Sequence, residues 1–499
     1  MSDKDSKPLS GKALARKPRG FPDKREALIH AQAEMIEKVT AIYRRWGFEA
    51  LETGAFEYAD ALGKFLPDDD RPNAGVFSLQ DDDDQWMSLR YDLTAPLARF
   101  AAENWQELPK PFRRYAAGPV WRNEKPGPGR FREFLQCDAD TVGAAGAHAD
   151  AEMIAMAAEA MRAAGAREGD FVIRVNSRRF LNAVLERIDA RSEKARLTVL
   201  RALDKLDRLG EEGVIRLLGH GRTDESGDFT PGAQLPPDMI DFVLRFARAG
   251  HYSRYEALDH FDQLLGSSQE AQTGLQEFET INRSLAALGV AERDVVFDPS
   301  VVRGLDYYTG PVFEAEYTRE FHDSDGTPVR IGSVGGGGRY DDLVARFLNE
   351  EVPAVGFSVG ISRLVLANQL AHWTDSGLPA PSLDGPVVVL NLEKDNPSIA
   401  LGLAAELRKA GIRAEAYMGS SGMRPQMKYA DRRNAPVAVM VGSDELEKGT
   451  VTIKDLEMGA LKAKAIQSNE EYREARPGQI EVPRAEMIEA VRKIVEAQA

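Results

Sequence analysis

The sequence is poor in cysteine, in histidine and in long apolar runs, and each shortage excludes a class of protein. Among 499 residues there is one cysteine, Cys137, so no internal disulfide can form and a reducing compartment is expected. The 7 histidines are scattered without metal-ligand spacing, which argues against a zinc site. No apolar run approaches the roughly 20 residues that span a bilayer, and the N-terminal residues lack a signal-peptide segment. We therefore expect a cytoplasmic protein without membrane spans.

Length and charge narrow the possibilities further. A chain of 499 residues is long enough for several domains, each with its own core. The formal net charge of −15 argues against indiscriminate coating of nucleic acid, although a local basic face still permits a nucleic-acid partner. Residues 1–18 are polar and carry several basic side chains, which predicts a disordered leader.

Residues 112–143 have the pattern of two strands joined by a loop at 124–129 that is rich in proline and glycine. Arg122 stands at the end of the first strand, while Arg130 and Arg132 open the second. Side chains two positions apart on a strand share a face, so these two arginines are expected to point together. Guanidinium groups near such a loop suit a phosphate or a carboxylate.

Three polar side chains continue the same alternation along the second strand. Gln136, Asp138 and Asp140 place an amide and two carboxylates on one face. An acid in this position suits a cationic or hydrogen-bond-donating group. The alternative is a salt-bridged hairpin on a solvated sheet, and the pattern alone leaves both interpretations open.

The hairpin resembles motif 2 of the class II aminoacyl-tRNA synthetases. Its form, R-N-E…G-R-F-R-E-F-x-Q-C-D-A-D, is similar to that of the histidyl-tRNA synthetases. Four further segments resemble companion motifs of that family and occur in the expected order, at residues 88–99, 302–314, 333–341 and 354–365. The segment R-G-L-D-Y-Y-T-G-P-V-F-E within 302–314 closely resembles the histidine-specific motif.

Taken without the resemblance, these segments have simpler explanations. Thr94 is placed to cap a helix that begins near position 95, and the neighbouring Tyr307 and Tyr308 are typical of core or rim residues. The glycine run at 333–341 lacks the Lys-Ser/Thr of a phosphate loop, so it either admits a ligand to the backbone or kinks a strand. Arg363 falls in the first turns of a predicted helix, where it complements a phosphate.

The resemblance implies a role for each of these residues. Arg122 and Arg303 would hold the histidine carboxylate and the α-phosphate, and they are the expected catalytic residues. The residues implied to bind histidine are Asp92, Thr94, Arg122, Gln136, Asp140, Arg303, Tyr307 and Tyr308. The residues implied to bind ATP are Arg122, Glu124, Arg132 and Arg363. Mg²⁺ is implied as the companion of ATP, with no metal ligands assigned from side-chain spacing.

The fold class implied is α/β (α+β), with an antiparallel class II sheet and flanking helices. A helix over 23–46, capped by Asp23, and a strand over 48–56 would form motif 1, which builds a homodimer interface in the family. Gly54 replaces the proline that this strand usually carries, which weakens the dimer prediction.

Composition divides the chain into further segments. The catalytic domain is expected at 19–190 and 291–374, interrupted by a helical insertion at 191–290. A linker rich in serine, proline and glycine is expected at 375–385. Strands and helices alternate over 386–499, which predicts a compact α/β unit with a largely parallel sheet. This unit resembles the anticodon-binding domain of several class II synthetases.

The reaction implied is the ligation of L-histidine to its tRNA through histidyl-adenylate, with ATP and the acceptor end and anticodon of histidine tRNA as partners. A catalytically inactive paralogue that acts as a regulatory subunit is one rival, but the chain keeps Arg122, Arg303 and Arg363. A histidine- or tRNA-sensing module is the second rival. The common bacterial enzyme reads an extra 5′ guanosine with a loop glutamine, and Gly127 occupies the matching position.

Overall fold

The chain forms two compact units, Met1–Ala380 and Pro381–Ala499. The computed structural model describes residues 14–62, 75–126, 131–224, 227–302, 308–323, 325–348, 350–376, 385–393, 396–463 and 478–498. Most of the predicted leader and of the predicted linker lies outside these ranges. No helix in the described ranges is both long and apolar enough to cross a membrane.

The first unit contains short and long strands. In chain order they are β1 (Glu49–Ala50), β2 (Phe56–Tyr58), β3 (Ser78–Gln80), β4 (Trp86–Leu89), β5 (Phe112–Trp121), β6 (Glu133–Val142), β7 (Phe171–Ser177), β8 (Gly221–Thr223), β9 (Phe229–Pro231), β10 (Val295–Phe297), β11 (Pro311–Tyr317), β12 (Phe321–His322), β13 (Pro328–Val329), β14 (Gly332–Arg339) and β15 (Ala354–Gly360).

Helices surround these strands. In chain order they are α1 (Glu26–Arg45), α2 (Ala59–Leu62), α3 (Thr94–Glu103), α4 (Ala147–Ala163), α5 (Arg178–Arg187), α6 (Glu193–Leu203), α7 (Leu206–Leu218), α8 (Pro237–Ala247), α9 (Arg254–Leu265), α10 (Gln269–Ala287), α11 (Asp342–Ala345) and α12 (Ile361–Ser376). A short 3₁₀ helix, Arg248–His251, follows α8.

The large sheet of the first unit has eight strands in the order β1-β5-β6-β15-β14-β11-β7-β10. Its five inner pairings are antiparallel, and only the edge strands β1 and β10 pair in parallel. The predicted antiparallel sheet is therefore confirmed. The hairpin β5–β6 pairs over its whole length, with Arg114 opposite Asp140 and Gly118 opposite Gln136.

One face of this sheet is buried under helices. Cys137 and Ala139 of β6 belong to the main apolar core together with Met35 of α1 and the small side chains and methionines of α4. Alanine and methionine let α4 lie close to the sheet, since small side chains bring backbones together and methionine fills irregular gaps. Because side chains alternate along β6, Gln136 and its even-numbered neighbours point to the opposite face.

The segment between β7 and β10 is mostly helical. Helices α6 to α10 fill residues 191–290, and α10 packs against α4 beneath the sheet. The two-stranded hairpin β8–β9 is an addition that the sequence did not indicate. Its strands are only three residues long, which is too short for a visible alternation.

Two local predictions in the first unit were wrong. Helix α1 begins at Glu26, its N-cap residue is Arg25, and no side chain caps it, so Asp23 is not the cap. The predicted strand over 48–56 is two separate strands, because β1 joins the large sheet and β2 joins a small sheet ordered β2-β4-β3. Nothing in the sequence marks the point where the chain leaves one sheet for the other.

The second unit contains five strands and five helices among its described residues. The strands are β16 (Val387–Val389), β17 (Ala414–Ala416), β18 (Val437–Met440), β19 (Thr450–Asp455) and β20 (Gln479–Pro483). The helices are α13 (Ser398–Lys409), α14 (Met423–Arg432), α15 (Ser443–Lys448), α16 (Leu456–Ala463) and α17 (Met487–Gln498), with a 3₁₀ turn at Arg484–Glu486.

The sheet of the second unit is mixed rather than largely parallel. Its order is β17-β16-β18-β19-β20, with parallel pairing of β16 to both neighbours and antiparallel pairing at β18–β19 and β19–β20. The prediction failed because strands and helices keep alternating after β18, yet β19 and β20 pair in the antiparallel sense, and the direction of pairing is decided by tertiary structure.

Candidate active site

The open face of the large sheet carries a band of polar side chains that runs along β6. Gln136, Asp138 and Asp140 alternate onto this face, as the period of a strand requires. The paired residues in β5 and β15 are Gly118 and Gly360 for Gln136, Ala116 and Ser358 for Asp138, and Arg114 and Gly356 for Asp140. Most of these neighbours are small, and the space over two of them is occupied by polar side chains, Asp140 over Gly356 and Arg90 over Gly118. We call Gln136, Asp138 and Asp140 the acid end.

The glycine run of the sequence forms strand β14, which belongs to the same sheet face. Gly338 is paired with Gly356, and a Cβ atom on Gly338 would come within 2.9 Å of the Tyr308 ring. A Cβ atom on Gly356 would lie 2.0 Å from an Asp140 oxygen. These glycines therefore permit Tyr308 and Asp140 to lie directly against the strands.

Asp140 is held in a buried ion pair. Its Oδ2 lies 2.9 Å from Nη2 of Arg114, and both side chains are 1% exposed. The Tyr340 hydroxyl donates a hydrogen bond to Asp140 Oδ1, and Arg114 also donates to the Leu93 carbonyl oxygen at 2.7 Å. Burial raises the pKa of Asp140, and the charge of Arg114 opposes that rise. The pair fixes the register of β5, β6 and the segment before α3.

Asp138 lies two residues before Asp140 in β6, and only one of its two carboxylate oxygens accepts a hydrogen bond. The Ser358 hydroxyl donates to its Oδ1, whereas its Oδ2 is buried without a hydrogen-bond partner in the described part of the chain. Burial, and next the charge of Asp140, raise the pKa of Asp138 to about 7. The carboxyl group is therefore poised to change its charge near neutral pH.

Asp92 and Thr94 lie where β4 leads into α3. The sequence predicts Thr94 as the cap of α3, but Thr94 is the first residue of the helix. Oδ1 of Asp92 instead accepts hydrogen bonds from the backbone N–H groups of Thr94 and Ala95, at 3.1 and 2.9 Å. Thr94 is thus not the N-cap. A carboxylate at a helix N-terminus is stabilised by the helix dipole. This segment lies beside the acid end, since Arg114 bonds to Leu93.

The other end of the hairpin carries arginine. The guanidinium carbon of Arg122 lies 4.3 Å from the ring centre of Tyr91 and 5.0 Å from that of Phe134, so it lies against two aromatic rings. Its backbone N–H donates to the Arg132 carbonyl oxygen at 2.9 Å, which continues the hairpin ladder past β5. Stacking orients a guanidinium group and leaves its in-plane N–H donors available.

Glu124 and Arg132 complete this region, and with Arg122 we call them the arginine end. Nε of Arg132 donates to the Glu124 carbonyl oxygen at 3.0 Å, and the Arg132 guanidinium lies 5.8 Å from the Phe77 ring centre. The Tyr91 hydroxyl donates to the Glu124 carboxylate at 3.3 Å. Glu124 is exposed and both arginines are partly exposed, so their charges are available to a ligand.

Arg363 lies in the first turn of α12, directly after β15. Because Gly360 at the end of β15 is paired with Gln136, this turn lies at the edge of the same sheet face. The Arg363 side chain donates to the Ser333 carbonyl oxygen at 2.5 Å, which ties it to the start of β14. The structure therefore gathers Arg122, Gln136 and Arg363 around one sheet.

Arg303 and Tyr307 lie outside the described residues, so their predicted roles depend on the sequence alone. Tyr308 is described, and its ring lies over Gly338 on the open face. Among the expected site residues that the structure describes, Arg122, Gln136, Asp140 and Tyr308 lie on one face of the large sheet, and their binding roles stay predictions.

Comparison with known proteins identifies the family. A family model described as histidyl-tRNA synthetase matches residues 20–364, which is more than half of the chain. The chain belongs to the histidyl-tRNA synthetase family. A second model, described as an anticodon binding domain, matches residues 386–494. Histidyl-tRNA synthetases are aminoacyl-tRNA ligases, and aminoacylation of histidine tRNA is the function of this family.

The curated relatives match along the whole chain. A protein of Caulobacter vibrioides named histidine–tRNA ligase is 56% identical over 482 residues, which cover 96% of this chain and 97% of the relative. A histidine–tRNA ligase of Bartonella henselae is 52% identical and covers 98% of both chains. The crystal structure of histidyl-tRNA synthetase from Nostoc sp. PCC 7120 superposes with a TM-score of 0.69 at 27% identity, covering 97% of this chain and 100% of the other.

The sequence did not indicate several buried polar residues of the site. Arg114, Tyr340 and Ser358 each bond an acid-end carboxylate. Arg90 lies over Gly118, where a Cβ atom would come within 2.6 Å of its Nη2. The even spacing of Arg114 with other open-face positions of β5 was the only available signal, because the pairing partners are far apart in the chain.

Proposed function

We propose that this chain activates L-histidine with ATP and transfers the histidyl group to the 3′ end of histidine tRNA. One observation carries the proposal: a single sheet face has arginines at one end of the hairpin and buried carboxylates at the other. The arginine end fits a polyphosphate, and the acid end fits an amino acid with an ammonium group and an N–H-bearing side chain. The family of the chain supports this pairing of substrates.

The acid end and its neighbours are proposed to bind histidine. Asp92 and Thr94 would hold the ammonium group, and Gln136 would contact the reacting end, with its buried Oε1 lacking a partner in the described ranges. Asp140 would contact the imidazole group together with Tyr308, whose ring lies on the same sheet face. Arg303 and Tyr307 are assigned to the same pocket on sequence alone.

The arginine end is proposed to bind ATP. Arg122 would contact the α-phosphate and the histidine carboxylate, because it lies on the same sheet face as Gln136 and its stacking rings hold it in place. Arg132 and Arg363 would contact the remaining phosphates. Glu124 is an exposed carboxylate beside these cations.

The side chains of the arginine end fit a Mg²⁺ ion that is bound together with ATP. Magnesium keeps several waters and is usually bound through one or two carboxylates together with substrate phosphates. Glu124 supplies such a carboxylate, and the described residues contain no cluster of three or more potential metal ligands. When bound, the ion neutralises charge on the phosphates.

Adenylate formation needs positioning more than acid–base help, since a carboxylate is already a nucleophile. A histidine carboxylate oxygen forms a bond to the α-phosphorus as the bond to the bridging oxygen breaks, and pyrophosphate leaves. Fixed guanidinium groups stabilise the charge that develops on the α-phosphate. A ribose hydroxyl of the tRNA then displaces AMP from the histidyl carbonyl carbon.

The second unit is proposed to contact the tRNA anticodon. Helix α14 carries three exposed basic side chains at four-residue spacing, Arg424, Lys428 and Arg432, which therefore lie on one face of the helix. Such a stripe suits a phosphate backbone despite the acidic total charge.

The chain is also proposed to form a homodimer in the cytoplasm. The small sheet β2-β4-β3 exposes apolar side chains on one face, namely Phe56 at 44%, Tyr58 at 54% and Leu79 at 44%. Tyr58 and Leu79 both pair with Met87, so these groups are contiguous. A patch of this kind marks an interaction surface. Sedimentation velocity should give a dimer, and Tyr58→Asp should shift it to the monomer.

The proposed activity is tested by histidine-dependent exchange of pyrophosphate into ATP. We expect exchange with L-histidine and none with other amino acids, followed by histidylation of the cognate transcript. A regulatory paralogue or a sensing module would bind histidine without exchange. Absence of exchange by the folded chain would refute the proposed function.

A further inference from the structure

Asp138 is the one acid-end carboxylate to which neither the fold nor the family assigns a role. Its side chain is 1% exposed, and its Oδ2 is buried without a partner in the described chain. Buried polar atoms are almost always hydrogen-bonded, and an unsatisfied buried acceptor costs stability. The unpaired oxygen therefore requires an explanation.

Other buried carboxylates of this unit differ from Asp138. Asp150 at the start of α4 is fully buried, and both its oxygens accept from the guanidinium group of Arg339. Oδ1 of Asp140 accepts from the Tyr340 hydroxyl, and its Oδ2, which makes no hydrogen bond, lies 2.9 Å from Nη2 of Arg114 in an ion pair. Each oxygen of Asp150 and Asp140 therefore faces a donor or a cation, whereas Oδ2 of Asp138 has neither a hydrogen bond nor an ion pair among the described residues.

The charged and titratable groups around Asp138 come from several elements. Arg114 projects from β5 and Asp140 from β6, while Arg90 and Asp92 lie in the segment before α3, and all four influence the carboxyl groups of the acid end electrostatically. Among these described groups, three carboxylates face two guanidinium groups, so one negative charge is in excess when all are ionised. Arg303, which the sequence assigns to the histidine carboxylate, lies outside the described residues and is not counted.

The other described neighbours of Asp138 add no cation. Ser358 of β15 donates a hydroxyl, and Gly336 beyond it has no side chain. Glu314 of β11 lies in the same row of the sheet and is acidic. Beneath the sheet, burial raises the pKa of Tyr43 well above its usual value, so its hydroxyl stays neutral.

We propose that Asp138 is a further histidine-binding residue, whose Oδ2 accepts a hydrogen bond from the ammonium group of the bound histidine. The inference rests on the proposed function, because histidine is the cation that it invokes. It assigns the ammonium group two carboxylates, Asp92 and Asp138, and the Oδ1 of Asp92 is already occupied by the N-terminus of α3. Asp140 remains on the imidazole side.

A pH signature follows from this geometry. In the free protein burial raises the pKa of Asp138 to about 7, so its carboxyl is partly protonated at neutral pH. A bound ammonium group favours the ionised form and lowers the pKa in the complex. Histidine binding therefore releases a proton, and affinity rises as the pH rises through about 7 and then levels off.

The experiment is calorimetric titration of L-histidine into the full chain and into Asp138→Asn from about pH 6 to about pH 8.5. The ratio of the two Kd values cancels the titration of histidine itself. We expect this ratio to grow with pH and to reach about tenfold at the upper end, because only the wild-type carboxyl gains charge. A ratio that stays constant across the pH range would overturn the proposal.

Two comparisons exclude a merely structural effect. Asp150→Asn removes a buried carboxylate on the helix-covered side of the sheet, and its Kd ratio should not vary with pH. Imidazole lactate, which has a hydroxyl in place of the ammonium group, should bind wild type and Asp138→Asn equally. Loss of its binding in the variant would overturn the assignment to the ammonium group.

Ser358→Ala keeps the test decisive if Asp138→Asn does not fold. Removing the hydroxyl that donates to Oδ1 raises the pKa of Asp138 further, so the pH midpoint of histidine binding should move upward. An unchanged midpoint would contradict the proposal. Failure of the wild-type chain to bind histidine at all would instead refute the proposed function, and the two failures are thus distinguishable.

Discussion

The two ends of the hairpin differ in how far their charged side chains are exposed to solvent. At the arginine end, Arg122 is contacted by two aromatic rings and remains partly exposed, so its charge stays hydrated until a ligand arrives. At the acid end, Asp138 and Asp140 are almost fully buried, and burial raises the pKa of both. A stacked arginine keeps its charge at any accessible pH, whereas a buried carboxylate exchanges protons with its surroundings.

The difference follows from what each end has to bind. A polyphosphate carries several charges and exchanges with each turnover, so an accessible surface of oriented donors suits it. A small amino acid must be distinguished from others of similar size, and buried polar groups reject a ligand that leaves them unpaired. The following predictions test whether the two ends are separable.

The largest effect is expected for Arg303→Ala, which should remove adenylate formation while the protein stays folded. Arg303 lies outside the described residues, and its position at the head of the R-G-L-D-Y-Y segment motivates the prediction. Loss of one fixed donor to a developing charge typically costs about 10²–10³-fold in rate. Pyrophosphate exchange measures the loss, and Arg293→Ala, an exposed arginine paired with Glu168, is the control. Near-normal exchange by Arg303→Ala would contradict the role.

A smaller and more selective effect is expected for Asp140→Asn. The KM for histidine should rise by an amount that corresponds to about 1–3 kcal/mol, with the KM for ATP almost unchanged. The melting temperature should also fall, because Arg114 keeps a weaker partner in a buried site. Steady-state exchange kinetics and calorimetry measure the two effects. Impaired ATP binding with normal histidine binding would show that the ends are not separable.

Phe134→Leu tests the stacking at the arginine end. Leucine keeps an apolar side chain but removes the ring that lies 5.0 Å from the Arg122 guanidinium. A cation–π contact contributes about 0.5–1 kcal/mol, so the KM for ATP should rise by about two- to fivefold. Because Arg122 is also proposed to contact the histidine carboxylate, the KM for histidine should rise to a similar extent. Arg293→Ala, at an exposed arginine paired with Glu168, is the control and should change neither constant. Unchanged constants in Phe134→Leu would show that this ring does not orient Arg122.

The smallest effect is expected when the extra 5′ guanosine is deleted from the cognate histidine tRNA. Gly127 lies outside the described residues, and glycine offers no side chain to read a base, so kcat/KM should fall by less than about tenfold. Backbone amides and basic side chains near the loop can still contact phosphates without reading sequence. Two transcripts, with and without the nucleotide, provide the measurement. A loss of several orders of magnitude would show that the loop reads the base by other means.

Much of the site could be predicted because its residues are close in sequence. Arg122, Gln136 and Asp140 belong to one hairpin, and the period of a strand is enough to place Gln136 and Asp140 on one face. Where the prediction failed, the interaction that decides the outcome is not periodic. Asp92 rather than Thr94 caps α3, and either residue type is a good cap.

The sequence by itself determined the family, the order of the motifs, the hairpin and the alternation that separates the open face of β6 from its core face. Only the tertiary structure decided which buried groups neutralise each other, since the partners of the acid end are distant in the chain. Asp140 meets Tyr340 across 200 positions, and Asp138 meets Ser358 across 220 positions. The unpaired oxygen of Asp138 is equally invisible in sequence, because the pKa and hydrogen bonding of a carboxylate depend on what folding places around it.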